Sequence, residues 1–149
     1  MTVLESIRDA VWRRHANPKS GWSRVLVTPV LLYAVYRRDG RLAVLAVAFT
    51  IVNPVLFSPP ADDDAWMTRV VLAERWWVEE RGEAVLSRSY PAVLNLLNLP
   101  VFASALLAAY LKRPVWAVLA GLASIGLKLR FVDELVQRYD AEGSTSGGE

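Results

Sequence analysis

The chain's only histidine lies in the segment RRHANPKSGWSR, residues 13–24, which also holds four basic side chains. Imidazole titrates near neutral pH, so His15 is the residue best suited to act as a general acid or base. It also continues the helical spacing of Leu4, Ile7 and Val11, which predicts that it points inward from an apolar helix face. A buried, hydrogen-bonded structural histidine is the simpler interpretation, and a catalytic histidine is the alternative.

Glu74 is the second residue with an unusual position. In a helix over residues 65–82 it lies between Met67, Val70 and Trp77, within the apolar face. A carboxylate that loses water there must be protonated or paired with a cation. We expect an arginine of the RRHANPKSGWSR segment to reach it and tie two surface helices together, so that a structural ion pair is the simpler interpretation and a functional acid the alternative. The candidate partners are Arg14, Arg24, Arg69 and Arg81.

Three consecutive aspartates, Asp62, Asp63 and Asp64, raise the possibility of a magnesium site and phosphoryl chemistry. Adjacent carboxylates project in different directions, however, and a spaced acidic motif is absent. We expect these aspartates to cap the helix that follows, and we predict no metal site. The chain has no cysteine, which excludes disulfides and thiolate metal ligands, and nothing in the sequence indicates a cofactor.

The segments that would position these residues are strongly apolar. Four runs without charge occupy 25–36, 42–61, 89–111 and 114–127, and two of them reach the roughly 20 residues that cross a bilayer. Arg and Lys at the ends of the shorter runs can extend toward the lipid headgroups. We therefore predict an all-α, polytopic membrane protein; two spans plus two re-entrant or surface helices is the alternative. The predicted transmembrane helices are 22–38, 42–57, 92–111 and 114–131, arranged as two antiparallel hairpins.

Two amphipathic helices, 3–16 and 65–82, are predicted to lie at the membrane surface. Together with the four spans they form a single membrane domain over 1–142, followed by a disordered tail over 143–149. Five tryptophans fall at predicted boundaries, where an aromatic belt explains them without a ligand. They are Trp12, Trp22, Trp66, Trp76 and Trp77.

The two halves of the chain are alike. LLYAVYRR at 31–38 resembles LLAAYLKR at 106–113, which suggests a tandem repeat of two hairpins about an axis along the membrane normal. Most Lys and Arg residues lie at the end that carries both termini, so the positive-inside rule favours cytoplasmic termini. The net charge of +2 gives no reason to expect nucleic acid as a partner.

Few polar residues lie inside the predicted spans. Asn95 and Asn98 share one helix face, and interhelical hydrogen bonding is the simpler role for them, with a polar ligand pocket as the alternative. Ionisable residues occur only at the ends of the spans, which argues against a proton-coupled transporter.

RHANPKSGWSR followed by NPVLFSPP, DDAWMTRVVLAERWW and LNLLNLP resembles a family of small integral membrane proteins of archaea, chiefly halophilic ones, and some bacteria. The resemblance spans nearly the whole chain and implies a multi-pass protein of a prokaryotic cytoplasmic membrane, but no activity. The residues that match the family pattern are His15, Asn17, Pro18, Trp22, Arg24, Asn53, Pro54, Trp66, Arg69 and Glu74.

Two functions are compatible with these observations. The first is a non-catalytic membrane component that binds lipids or a membrane partner, with a homo-oligomer as one possible form. The second is a membrane-embedded enzyme acting on a lipid headgroup, with His15 as acid or base, Glu74 orienting it, and Arg24 and Arg69 holding phosphate. The other candidate ligand-binding residues are Arg14, Asn17 and Asn53.

Overall fold

The computed structural model describes residues 2–146, and within that range the fold consists of helices without strands. The prediction of an all-α fold is confirmed. The six helices are α1 (Val3–His15), α2 (Pro18–Arg37), α3 (Gly40–Leu56), α4 (Trp66–Glu79), α5 (Ala92–Tyr110) and α6 (Pro114–Ser146).

The junction between α1 and α2 follows from its sequence. Asn17 is the N-cap of α2, and its side-chain oxygen accepts a hydrogen bond from the backbone N–H of Lys19. Pro18 occupies the first helical position, where its missing N–H costs nothing. The chain therefore turns sharply and brings the end of α1 against the start of α2.

The start of α4 differs from the prediction. Its N-cap is Ala65, which makes no side-chain cap hydrogen bond, and Asp62 instead accepts from the backbone N–H of Asp64. The expected role of the three aspartates as a helix cap is wrong. Their spacing lets them form a local turn before α4 begins, and side chains of this type compete for backbone donors in that way.

The main core forms where α4 packs on α6. Phe131 and Leu135 of α6 are fully buried, and Trp76 and Trp77 of α4 lie against the same cluster. The prediction that these two tryptophans belong to an aromatic belt facing lipid is wrong, because the α4–α6 contact encloses both rings. The core also includes Met67, which approaches α2 so closely that a Cβ atom at Gly21 would lie 2.2 Å from its Cγ.

Helix α6 is longer than the sequence indicated. It has 33 residues and continues past the predicted end at residue 131 to Ser146, because Val132, Leu135 and Val136 present a buried apolar face to α4. The sequence predicted a disordered tail over 143–149, but residues 143–146 belong to this helix. The rest of that predicted tail lies outside the described residues.

The turns of the two hairpins contact each other reciprocally. The guanidinium of Arg38 lies 5.2 Å from the ring centre of Tyr110, and the ammonium of Lys112 lies 4.5 Å from that of Tyr36. Arg38 and Lys112 both adopt left-handed backbone conformations, with φ of 57° and 58°. Each hairpin thus covers the other's tyrosine with a cation, as a twofold relation requires. The matching residues are displaced by one position from the alignment that the sequence suggested.

Two helices are long and apolar enough to cross a membrane, namely α5 and the apolar part of α6. Helix α3 is apolar but has only 17 residues, and α2 does not meet the same test of length and hydropathy. The prediction of four transmembrane helices is therefore not supported, because two of the described helices are long and apolar enough to be candidate spans.

The core predicts a large difference between two neighbouring residues of the α4 segment. Trp77 is 3% exposed, so Trp77→Ala should lower the free energy of unfolding by about 3–5 kcal/mol. Glu80 is exposed, so Glu80→Gln should change it by less than about 0.5 kcal/mol. Melting temperatures of the detergent-solubilised variants measure both effects. Similar melting temperatures for the two variants would show that α4 does not pack on α6.

Candidate functional site

A cleft of about 460 Å³ lies among α2, α3, α4, α5 and α6. One end is polar, and the walls beyond it are mainly apolar. The polar end is formed by His15, Arg24, Glu74, Asn95 and Lys128. The apolar walls include Val27, Leu31, Val47, Ile51 and Phe102.

The cleft is open on one side because the four long helices do not form a closed bundle. Helix α3 packs against α2 and α1, and within residues 2–146 it makes no contact of similar extent with α5 or α6. Val47 and Ile51 of α3 therefore face Phe102 of α5 across the cleft. Val47 and Ile51 are also 49% and 72% exposed, so the cleft is open to the outside along α3.

His15 lies at the polar end with both ring nitrogens engaged. Its Nδ1 is 3.0 Å from Ser20 Oγ, and its Nε2 is 2.9 Å from Nη1 of Arg24. Ser20 donates its single hydroxyl proton to Asn53 Oδ1, so it must accept a proton from His15 Nδ1. Neutral His15 therefore carries its proton on Nδ1, and Nε2 accepts a hydrogen bond from Arg24. The prediction that His15 points inward is confirmed, since it is 7% exposed.

The hydrogen bonds continue from α1 through α2 to α3. Asn53 is completely buried, and its Nδ2 donates to Ser23 Oγ at 2.9 Å. Ser23 in turn donates to the backbone carbonyl of Ser20 at 3.0 Å. Each side chain in this series of hydrogen bonds has a partner. Hydrogen-bonded polar groups can be buried at little cost in folding free energy.

The environment of His15 favours its neutral form. Burial lowers the pKa of His15, and the positive charge of Arg24 lowers it further, while Glu74 acts in the opposite direction. Glu74 is thus near enough to influence the imidazole. The structure brings His15, Arg24 and Glu74 together at one end of the cleft, as the sequence predicted.

The predicted arginine partner of Glu74 is wrong. Lys128 of α6 forms the ion pair, with Nζ 3.4 Å from Glu74 Oε1, and the same ammonium lies 3.5 Å from Asn95 Oδ1. The helical phase assigned to Glu74 is nonetheless correct, because its side chain is only 19% exposed and lines the cleft. At this partial exposure the ion pair contributes at most about 1 kcal/mol.

A different carboxylate ties the two surface helices together. Glu79 of α4 lies 3.3 Å from Arg8 and accepts a hydrogen bond from the Trp12 indole at 3.0 Å, and both of these residues belong to α1. Arg75 of α4 bridges Glu79 and Asp9, at 2.8 Å and 2.7 Å. Its hydrogen bonds to the two carboxylates raise the pKa of Arg75, and its hydrogen bond lowers the pKa of Glu79. This network holds α1 against α4 near the polar end of the cleft.

Four predicted ligand-binding residues lie outside the cleft. Arg14 donates to the backbone carbonyl of Val55 at 2.7 Å, and Asn17 donates to that of Ser58 at 2.9 Å. Both bonds fasten the α1–α2 junction to the chain at the end of α3. Arg69 pairs with Asp140 of α6 at 2.9 Å. Asn53 also serves the structure, through its bonds to two serines.

Sequence reasoning missed Lys128 as a site residue. It lies at the end of an apolar run, where a basic side chain is expected to reach the headgroups, and only the packing of α4 on α6 places it beside Glu74. Asn98 lines the cleft and accepts a hydrogen bond from Ser124 Oγ at 2.6 Å, so it joins α5 to α6 as the sequence suggested. Within residues 2–146, no three His, Asp or Glu side chains are grouped so as to hold a metal ion.

A family model described as a family of unknown function (DUF6653) matches residues 3–148. The chain belongs to this family. No curated protein and no solved structure matches the chain. This family match assigns no activity to the chain.

The depressed pKa of His15 predicts a specific pH dependence of stability. Between the folded-state pKa and the ordinary value of 6.5, the unfolded chain binds more protons than the folded protein. Stability should therefore fall as the pH drops below about 6.5, and His15→Gln should lack this part of the decrease. Melting temperatures from about pH 7.5 to about pH 5 measure it. Curves of equal slope for wild type and variant would contradict the assignment of a buried neutral His15.

Proposed function

We propose that this protein is a non-catalytic, multi-pass component of a prokaryotic cytoplasmic membrane, and that its cleft binds one lipid-like amphiphile. Helices α2, α3, α5 and α6 cross the bilayer as two hairpins. Helices α1 and α4 lie at the end of the bundle that carries both termini. The amphiphile enters sideways between α3 and α5, with its polar group beside Arg24 and its apolar chain along Phe102.

The outer surface supports a membrane environment. Only 17% of the apolar window of α5 and 28% of that of α6 is buried within the protein, whereas the core helix of a soluble protein would be mostly buried. A monomer in water rarely exposes apolar patches larger than a few hundred Å². Helix α1 adds Val3, Leu4 and Ile7, whose exposure suits a helix at the headgroup boundary.

The first hairpin shares these properties. Val44, Ile51 and Leu56 of α3 are all more than half exposed, and in water each would be an unfavourable surface residue. A span of 17 residues is at the short end of the range that crosses a bilayer, and local thinning of the bilayer accommodates it. The reciprocal contacts of Arg38 with Tyr110 and Lys112 with Tyr36 support placing both turns at the same depth.

One observation carries the binding function: the charged side chains of the cleft lie only at the end bordered by α1 and α4, and the cleft is open where α3 and α5 do not pack together. An aqueous ligand would meet an apolar entrance, and a purely apolar ligand would leave the charged end unsatisfied. A molecule with a polar head and an apolar chain satisfies both parts.

Binding is also favoured over catalysis by the state of His15. Each of its nitrogens already has a partner, in Ser20 and Arg24, so proton transfer to a substrate would require one of these bonds to break. Binding requires no such change. In the proposed function His15 is a positioning residue that holds Arg24 at the cleft.

Lipid retention tests the cleft. Val47 lines it, so Val47→Trp should fill the space beside α5 and reduce the lipid that co-purifies with the protein in mild detergent. Val44 lies on the outer face of the same helix at 68% exposure, and Val44→Trp should leave retention unchanged. Native mass spectrometry measures both. Wild-type protein without any retained or added lipid, or equal retention by the two variants, would contradict a lipid-binding cleft.

The proposed topology is tested by single cysteines, which the absence of native cysteine makes unambiguous. Ser6→Cys and Ser146→Cys should react with an impermeant maleimide from the cytoplasmic side, and Asp39→Cys from the opposite side. Intact cells and inverted vesicles distinguish the two sides. Reaction of all three cysteines from the same side would rule out a hairpin of α2 and α3 across the membrane.

A further inference from the structure

We propose that the amphiphile is an anionic phospholipid, and that Arg24 and Lys128 bind its phosphate from opposite sides of the cleft. This inference rests on the proposed lipid-binding function and adds to it the chemistry of the headgroup. Arg24 lies on α2 and Lys128 on α6, and both line the polar end of the cleft. Arg24 has no carboxylate partner and Lys128 has one, Glu74, so the polar end carries a net positive charge.

Arg24 has donors available for an anion. Its Nη1 bonds to His15 Nε2, which is an acceptor without charge when His15 is neutral. Across the described residues, no carboxylate forms an ion pair with Arg24. One nitrogen is therefore fixed by the histidine, while Nη2 and Nε remain to donate to an oxyanion. A guanidinium positioned in this way suits the two-point binding of a phosphate.

Lys128 supplies the second cation at the polar end of the cleft. Its ammonium lies 3.4 Å from Glu74 Oε1 and 4.9 Å from the ring centre of Phe131, and its side chain is 42% exposed toward the cleft. Asn95 Oδ1 lies 3.5 Å from the same ammonium, so two of its three donors have acceptors and one remains for a further acceptor. Two cations and one carboxylate therefore face the polar end, and its net charge is positive when His15 is neutral.

The position of this charge within the cleft distinguishes a lipid phosphate from free phosphate. Beyond Arg24 and Lys128 the walls become apolar, at Leu31, Val47 and Phe102, and the opening between α3 and α5 faces the proposed bilayer. A lipid places its phosphate at the charged end and an acyl chain along these walls. Inorganic phosphate would use the charged end alone and leave the apolar part of the cleft empty.

The test uses two lipids with identical acyl chains. Detergent-solubilised protein is mixed with equal amounts of dioleoyl phosphatidylglycerol and dioleoyl phosphatidylcholine, and native mass spectrometry gives the ratio of the bound species. Both lipids carry a phosphate, but the net positive charge of the polar end repels the quaternary ammonium of phosphatidylcholine, so the anionic lipid should be favoured by about tenfold. Inorganic phosphate and glycerol phosphate are added separately as competitors and should not displace it.

Three variants assign the preference to residues. Arg24→Gln and Lys128→Gln should each reduce the ratio toward one, because they make the polar end less positive, whereas Glu74→Gln should increase the ratio, because it makes that end more positive. Arg41 lies at the opposite end of the bundle, so Arg41→Gln is the matched control and should leave the ratio unchanged. The wild-type ratio tests the proposal by itself if a variant does not fold.

The outcomes separate this inference from the function on which it rests. Equal binding of the two lipids, or a preference that survives both Arg24→Gln and Lys128→Gln, overturns the headgroup assignment and leaves the lipid-binding cleft intact. Displacement of the lipid by glycerol phosphate or inorganic phosphate identifies a soluble ligand and overturns the assignment to a phospholipid. Failure of either lipid to bind overturns both proposals.

Discussion

The hydrogen-bond chain from His15 through Ser20 to Asn53 determines how the polar end of the molecule is built. These groups are buried where α1, α2 and α3 meet, and burial without partners would cost several kcal/mol. Their mutual bonds fix the angle between α1 and α2 and hold α3 against α2. They also leave only Nε2 of His15 free to face the cleft, where Arg24 occupies it. The orientation of a cation at the cleft thus depends on a network that itself carries no net charge.

The charged side chains near this network form two groups, one between α1 and α4 and one inside the cleft. Asp9 and Glu79 pair with Arg75, and Glu79 also pairs with Arg8, so two carboxylates and two arginines join α1 to α4 at the end of the bundle. Lys128 and Glu74 neutralise each other inside the cleft. Of the two cations that line the cleft, Arg24 forms no ion pair with a carboxylate of the described residues, so the cleft carries a net positive charge.

Sequence reasoning correctly predicted features that depend on the periodicity of a single helix. The spacing from Leu4 to His15 predicted an inward histidine, and the helical phase of Glu74 was right. It failed where two helices must meet. Helical periodicity shows which face of α4 is apolar but not that α6 covers it, so Lys128 was missed as the partner of Glu74 and Trp76 was assigned to lipid. The gap between α3 and α5 is equally invisible in the sequence, because both helices have apolar residues on nearly every face.

The reciprocal contacts at the turns have an evolutionary meaning. A contact in which each partner gives and receives the same group is characteristic of twofold symmetry, the form in which two identical chains most often associate. In two separate copies of a hairpin like that of α2 and α3, the equivalent contact would join Tyr36 of each copy to Arg38 of the other. Encoding both hairpins in one gene frees each to accumulate its own mutations. One side of the symmetry axis can then close while the other acquires a charged opening.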